Sequence, residues 1–239
     1  VAMHFFPDRR QAGQSLAAHL FRQYGDRRDV IVLALPRGGV PVAYEVALAL
    51  HAPLDIVVVR KLGVPGHPEL AMGAIAGGKV RVLNRELLRE LRIEDEAIDR
   101  VVEVEREELR RRERVYRGER PSPNVAGRTV ILVDDGLATG ATMAAAVAAV
   151  ERQHAAQVVV AAPVASREAI AQFRSWGLDA VAVIMPEPFH GVSLWYDDFD
   201  QTSDTEVRTL LDAAWKHEVV AVPGFRAAAP EHDGVAESR

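Results

Sequence analysis

The sequence predicts an α/β fold in which helices cover both faces of a parallel sheet. Short apolar runs rich in Val and Ile recur at residues 30–35, 54–59, 129–133, 158–164 and 180–185. Continuous runs of this kind read as strands buried on both faces, since a half-exposed strand would alternate apolar with polar. Helical stretches separate most of them at the spacing of βαβ units, and parallel neighbours need such crossovers.

In chain order, Asp8 is a cap for an amphipathic helix over residues 8–24, with Leu16, Leu20 and Phe21 on one side. The strand at 30–35 is broken by Pro36-Arg37-Gly38-Gly39, and a helix follows over 40–50. The next strand is 54–59. Residues 60–68, rich in Gly and Pro, read as a loop. Residues 70–76 and 79–83 pair as a hairpin through Gly77-Gly78, after which Asn84 caps a short helix. Residues 94–117 form a long helix, acidic at its start and arginine-rich at its end, as the helix dipole favours. Its stripe of Ile98, Val101, Val102, Glu105 and Leu109 is apolar except at Glu105, and its arginines read as a solvated end with internal ion pairs. After Pro121-Ser122-Pro123 come a strand at 129–133, a helix at 140–153, a strand at 158–164, a helix at 166–176 and a strand at 180–185. Asp204 is a cap for a last helix over 205–217. The composition beyond Pro223 predicts a disordered tail.

The 239 residues carry 29 Lys+Arg against 34 Asp+Glu, a net charge of -5, which argues against a general nucleic-acid or membrane-surface binder. The chain has no cysteine, so disulfides, thiolate nucleophiles and cysteine zinc sites are excluded. No apolar run is long enough to span a bilayer and the start has no signal-peptide pattern; the expectation is a cytoplasmic protein.

The segment 130–142 is the most informative. A buried strand delivers Asp134 and Asp135 to its carboxyl end. A loop of Gly, Ala and Thr follows and opens a helix, offering backbone N–H groups, two hydroxyls and a helix N-terminus to one small anion. The carboxylates repel that anion but suit hydroxyl groups or a metal ion. A pentose 5-phosphate satisfies both demands. In an open parallel sheet, ligands sit at the carboxyl ends of the strands. Pro36-Arg37-Gly38-Gly39 and Arg60-Lys61 fall at two other such ends, adding cations and close backbone approach, which suits a sugar phosphorylated at both ends. Gly73–Val80 nearly spells a P-loop but has no hydroxyl residue after Lys79 and leads into a strand.

Segment 130–142 resembles the signature of the type I phosphoribosyltransferases, which bind 5-phosphoribosyl 1-pyrophosphate. The resemblance covers about residues 30–185. It implies the type I fold: one domain over 1–222, with a core at about 30–185 and a hood from 1–29 and 186–217. It implies that Asp134 and Asp135 bind the ribose hydroxyls and, through water, Mg²⁺. Ala138, Thr139, Gly140, Ala141 and Thr142 would cradle the 5-phosphate. Arg37, Gly38 and Gly39 match the pyrophosphate loop, which in the family often holds a cis peptide. Arg60 and Lys61 match the pair preceding a mobile lid, here Leu62 to about Ala76. Within the family, "VDDGLATGATM" and "RKLGVPGHPE" look most like adenine phosphoribosyltransferases, yet Ala138 stands where 6-oxopurine enzymes carry an acid, and Ala76 is apolar where adenine enzymes carry a lid Glu. Glu69 is a substitute general acid or a plain lid residue. Trp195 stacks on the base, with Asp197 or Asp198 accepting from it, or the segment 195–200 anchors the last helix. The chain also resembles stand-alone bacterial phosphoribosyltransferase-like proteins.

The function implied is transfer of phosphoribosyl to a nitrogenous base, purine-like, with release of pyrophosphate, helped by Arg37 and Lys61 and by Mg²⁺, in a homodimer that binds neither nucleic acid nor membrane. The alternative is a regulator that binds the same donor without catalysis; fold and motif alone do not separate the two.

Overall fold

The computed structural model describes residues 6–77 and 80–221. The tail from 223, Gly78, Lys79 and the start of the expected hood lie outside them.

Five parallel strands make the main sheet: β1 (Val30–Ala34), β2 (Leu54–Ile56), β6 (Thr129–Val133), β7 (Gln157–Val164) and β8 (Asp179–Ile184), in the order β2-β1-β6-β7-β8. Each strand of the centre points alternate side chains into two separate cores. Val30, Val32 and Ala34, with Ile131 and Val133, pack under α1 (Arg9–Tyr24) and α2 (Gly39–Leu50). Ile31, Leu33, Val130 and Leu132 pack under α5 (Ala141–Glu151) and α6 (Arg167–Ser175). The period-2 alternation of a strand therefore explains why the runs are apolar without interruption: both faces are covered. Asp8 caps α1 by accepting from the Gln11 N–H at 2.7 Å, and Asn84 caps α3 (Arg85–Glu90). The last helix, α7 (Asp204–Ala221), starts one residue earlier than the sequence suggests; its cap is Ser203, whose Oγ accepts from the Glu206 N–H at 3.1 Å, while Asp204 sits in the first turn.

The stretch read as a loop at 60–68 is instead strand. β3 (Val59–Val64), β4 (His67–Ala76) and β5 (Val80–Leu83) form a separate antiparallel sheet. Pro65-Gly66 is only the turn between β3 and β4, and Gly63 lies where their register shifts, so residues that normally break structure here shape a hairpin. The run 54–59 thus divides: Leu54–Ile56 joins the parallel sheet, and the chain then crosses into the small one. The expected pairing of 70–76 with 79–83 is present, with Gly73 opposite Leu83 and Ala76 opposite Val80.

α4 (Asp95–Arg117) buries Ile98, Val102, Leu109 and Tyr116 as one stripe. Glu105 interrupts that stripe because Arg60 of β3 reaches it, Nε to Oε2 at 2.7 Å. Glu108 pairs with both Arg111 and Arg112 on the exposed face, the internal pairing expected there. Arg117 departs from that expectation. It is buried, and its guanidinium binds the buried Asp55 carboxylate at 2.7 Å and the Ile56 carbonyl at 2.5 Å, locking α4 to β2.

Candidate active site

β1 and β6 are adjacent and in register, Ala34 opposite Val133, and the Leu35 N–H still bonds the Val133 carbonyl at 2.9 Å. The loops that leave these two strands are therefore forced against each other at the carboxyl edge. The contact is tight enough to require glycine. A Cβ placed on Gly38 would overlap the Asp135 carboxylate; one on Gly39 would meet the Val133 carbonyl oxygen at 2.7 Å and Asp134 Oδ1 at 3.1 Å. Real Cβ atoms do not approach so closely, so the paired glycines of the first loop exist to admit the paired acids of the second. The Pro36–Arg37 peptide is cis, as the resemblance implied.

Asp134 and Asp135 are both half-buried at the strand end, and the Asp135 N–H donates to Asp134 Oδ1 at 2.9 Å. Burial, and then the neighbouring Asp135 charge, push the Asp134 carboxyl well above the usual carboxylate range. Burial also raises Asp135, but less, because Arg9 opposes it. Arg9 comes from α1, a residue that no sequence signal singled out. Its Nε donates to Asp135 Oδ2 at 2.9 Å and its Nη1 to the Asp200 carbonyl at 2.7 Å, while its guanidinium lies 3.9 Å from the centre of the Phe199 ring. Tyr196 completes the enclosure: its hydroxyl donates to the Asp135 carbonyl at 2.6 Å, and burial raises its pKa.

The next residues, where the sequence places an anion nest, lead into the open N-terminus of α5. Gly140 holds φ at 69°, a left-handed conformation that suits glycine, and α5 begins at Ala141. The first N–H groups of a helix have no partner within it and point at whatever sits before it. Ala138, Thr139 and Ala141 are exposed there, and Thr142 is half-buried. The loop is tied down from behind. The Leu137 N–H bonds the Val164 carbonyl at 2.9 Å, the Ser166 N–H bonds the Leu137 carbonyl at 2.8 Å, and Ser166 Oγ donates to the Ala138 carbonyl at 2.6 Å.

Arg37, in the loop pressed against the acid pair, has its Nη1 3.7 Å from Asp204 at the start of α7. Arg60 and Lys61 do not sit in a loop after β2 but inside β3; Arg60 is held by Glu105, whereas Lys61 is exposed. Glu69 is exposed on β4, in the hairpin read as a lid. Trp195 ends a short 3-10 turn (Ser193–Trp195); its carbonyl accepts from the Phe6 N–H at 2.8 Å, and it packs on the cluster of Phe6, Ala12, Val164 and Tyr196. The missed residues, Arg9 and Tyr196, come from opposite ends of the chain, and Phe6 pairs with Tyr196 as an isolated parallel bridge. Only the proximity of aromatic residues to both could have hinted at them.

Among the described residues no group of three or more His, Cys, Asp or Glu stands ready to hold a metal ion. The donor set fits Mg²⁺ in the limited sense that two carboxylates meet at one edge. Mg²⁺ commonly takes one or two carboxylates and fills its remaining positions with water and phosphate oxygens. No described helix is long and apolar enough to cross a membrane.

Residues 6–176 match the sequence pattern of the phosphoribosyl transferase domain. Two curated Mycobacterium tuberculosis proteins, provisionally named phosphoribosyl transferases, are 45% identical over 212 residues, which is 89% of this chain but 47% of theirs. The chain thus spans about half the length of these curated relatives. The crystal structure of TT1426 from Thermus thermophilus is 43% identical, with a TM-score of 0.76, and the alignment covers 87% of this chain and 97% of that one. With the family pattern spanning most of the folded core, the chain belongs to the phosphoribosyl transferase domain family.

Proposed function

We propose that the protein transfers the phosphoribosyl group of 5-phosphoribosyl 1-pyrophosphate to a nitrogenous base, purine-like, and releases pyrophosphate. The observation that carries this reading is the pressing of Gly38-Gly39 against Asp134-Asp135, beside the nest that opens α5. Three chemically different grips at one edge suit the pyrophosphate, diol and 5-phosphate of the donor.

The 5-phosphate lies on the N–H groups and hydroxyls of residues 138–142. The diol is gripped by Asp134 and Asp135, which also counter the positive charge that grows on the ribose as the C1–O bond breaks. The Gly38-Gly39 backbone and Arg37 receive the pyrophosphate. Lys61, exposed on the hairpin, is the lid cation; Arg60, committed to Glu105, braces that hairpin on α4. Glu69 is the candidate proton donor or acceptor at the base. Trp195 belongs to the wall of the hood, and Arg9 holds Asp135 in place. Mg²⁺, held by Asp134 and Asp135 through water, would neutralise charge on the donor's oxygens. We place the reaction in a single domain over 1–222 and in a cytoplasmic homodimer.

Pyrophosphate release measured over a panel of purine and pyrimidine bases tests the reading. Release with one class of base, dependent on Asp134 and Asp135, is the expected result. Tight donor binding with no release for any base would identify a regulator instead.

A further inference from the structure

A cavity of about 310 Å³ lies at the far end of α5 from the anion nest. It is lined by Arg81, Val82, Leu83, Arg85 and Arg152, that is, by the edge strand β5, the start of α3 and the residue ending α5. An eleven-residue helix puts this cavity roughly 16 Å from Thr139. Arg81 is committed to Asp99, Nη1 to Oδ1 at 2.6 Å. Among the described residues, Arg85 and Arg152 have no carboxylate within ion-pair distance, in a chain where acids outnumber bases 34 to 29.

An arginine at the end of a helix ordinarily serves only the dipole. Arg152 does more: its Nη1 donates to the Arg81 carbonyl at 2.6 Å, which carries the guanidinium across to β5 and fixes it at the cavity wall. Val82 and Leu83, half-buried, line the same wall, while Arg81, Arg85 and Arg152 stand exposed around it. Guanidinium forks match phosphate oxygens two at a time. The volume lies near the lower limit for small-molecule sites, enough for an oligophosphate group but tight for a whole nucleotide.

We propose that this cavity is a second binding site, for an oligophosphate anion gripped by Arg85 and Arg152. The anion is either free or the phosphate tail of a nucleotide whose base stays outside. The site is separate from the one above, and it shares α5 with the nest and the small sheet with Lys61, so an occupant bears on both.

The test is site-resolved. The intact protein is treated with phenylglyoxal, and modification is read by peptide mass spectrometry with and without tripolyphosphate or ATP. Tripolyphosphate is expected to protect Arg85 and Arg152 while leaving Arg22 and Arg110, exposed like them but away from the cavity, reactive. Protection by ATP as well assigns the nucleotide-borne source; protection by tripolyphosphate alone assigns the free anion. Arg85→Ala, at a side chain with no ion-pair partner among the described residues, should weaken the protection of Arg152 about tenfold, the loss of one charged hydrogen-bonding fork. Absent protection, equal protection of all four arginines, or undiminished protection in Arg85→Ala would overturn the proposal. Because 5-phosphoribosyl 1-pyrophosphate plays no part in the assay, the result stands independently of the proposed reaction.

Discussion

The guanidinium of Arg9, on the first helix, lies 2.9 Å from the Asp135 carboxylate, 126 residues away in sequence. Both side chains are largely buried, 12% and 17% exposed. The pair joins α1 to the strand-end acids, so the geometry of the site depends on a segment outside the parallel sheet. Removing Arg9 leaves Asp135 beside Asp134 with no counter-charge. Arg9→Gln is expected to cost about 3 kcal/mol in chemical denaturation, the penalty of stranding a buried charge. A change inside half a kcal/mol would mean that solvent replaces the guanidinium without loss.

Gly38→Ala tests the packing of the two loops. Its Cβ would overlap the Asp135 carboxylate, which must rotate away or push the loop outward. Donor binding, followed by thermal stabilisation with 5-phosphoribosyl 1-pyrophosphate and Mg²⁺, should weaken by about tenfold or more, since small misplacements in a positioned site are expensive. Unchanged donor stabilisation would show that the acid pair does not need its present position.

Asp134→Asn with Asp135→Asn should keep the fold and abolish donor stabilisation. The pair also sets a pH dependence. Asp134 titrates well above the ordinary carboxylate range because burial and Asp135 disfavour its charge. If the ionised form grips the donor, affinity rises with pH through that raised titration in the wild type, and Asp134→Asn flattens the rise. Stability runs the other way: a carboxyl whose folded pKa is raised favours the fold below its unfolded pKa, and that contribution fades as pH climbs through the folded pKa. Denaturation followed as pH rises from the ordinary carboxylate range should show wild type losing this increment and Asp134→Asn not.

Asp55 and Arg117 pair in the interior, both under a tenth exposed. Burial raises the Asp55 pKa, with Arg117 the main opposing influence. Arg117→Met alone is expected to cost roughly 3–5 kcal/mol, because Asp55 remains buried without its partner. Adding Asp55→Leu should recover most of that loss. A double variant no better than the single would locate the cost in the Ile56 carbonyl bond instead.

Ser166 both caps α6, accepting from the Ala169 N–H at 3.1 Å, and donates to the Ala138 carbonyl behind the nest. Ser166→Ala should lower stability by about 1 kcal/mol through the lost cap. It should also raise the KM for the donor more than it lowers kcat, since the nest is loosened while the acids stay. An effect on stability alone would confine Ser166 to capping.

The parallel sheet was legible because its signal is local: uninterrupted Val and Ile runs at βαβ spacing need two covered faces, and the two cores flanking β1 and β6 supply them. Asp134, Asp135 and the nest were legible for the same reason, all lying within thirteen consecutive residues, 130–142. The stretch 60–68 reads as a loop because Gly63, Pro65, Gly66 and Pro68 break regular structure in isolation, whereas antiparallel pairing of β3 with β4 turns them into a bulge and a turn.

The order of apolar runs, capping residues and turn residues determined the five strands of the parallel sheet, most helices and the edge where a ligand would sit, since each is fixed by interactions among neighbours in the chain. Tertiary structure alone decided that Arg9 and Tyr196 enclose Asp135, that Glu105 takes Arg60 out of the loop edge, and that Arg81, Arg85 and Arg152 meet around a cavity. These are contacts between side chains far apart in sequence, and no local periodicity encodes which distant charge a buried carboxylate will meet.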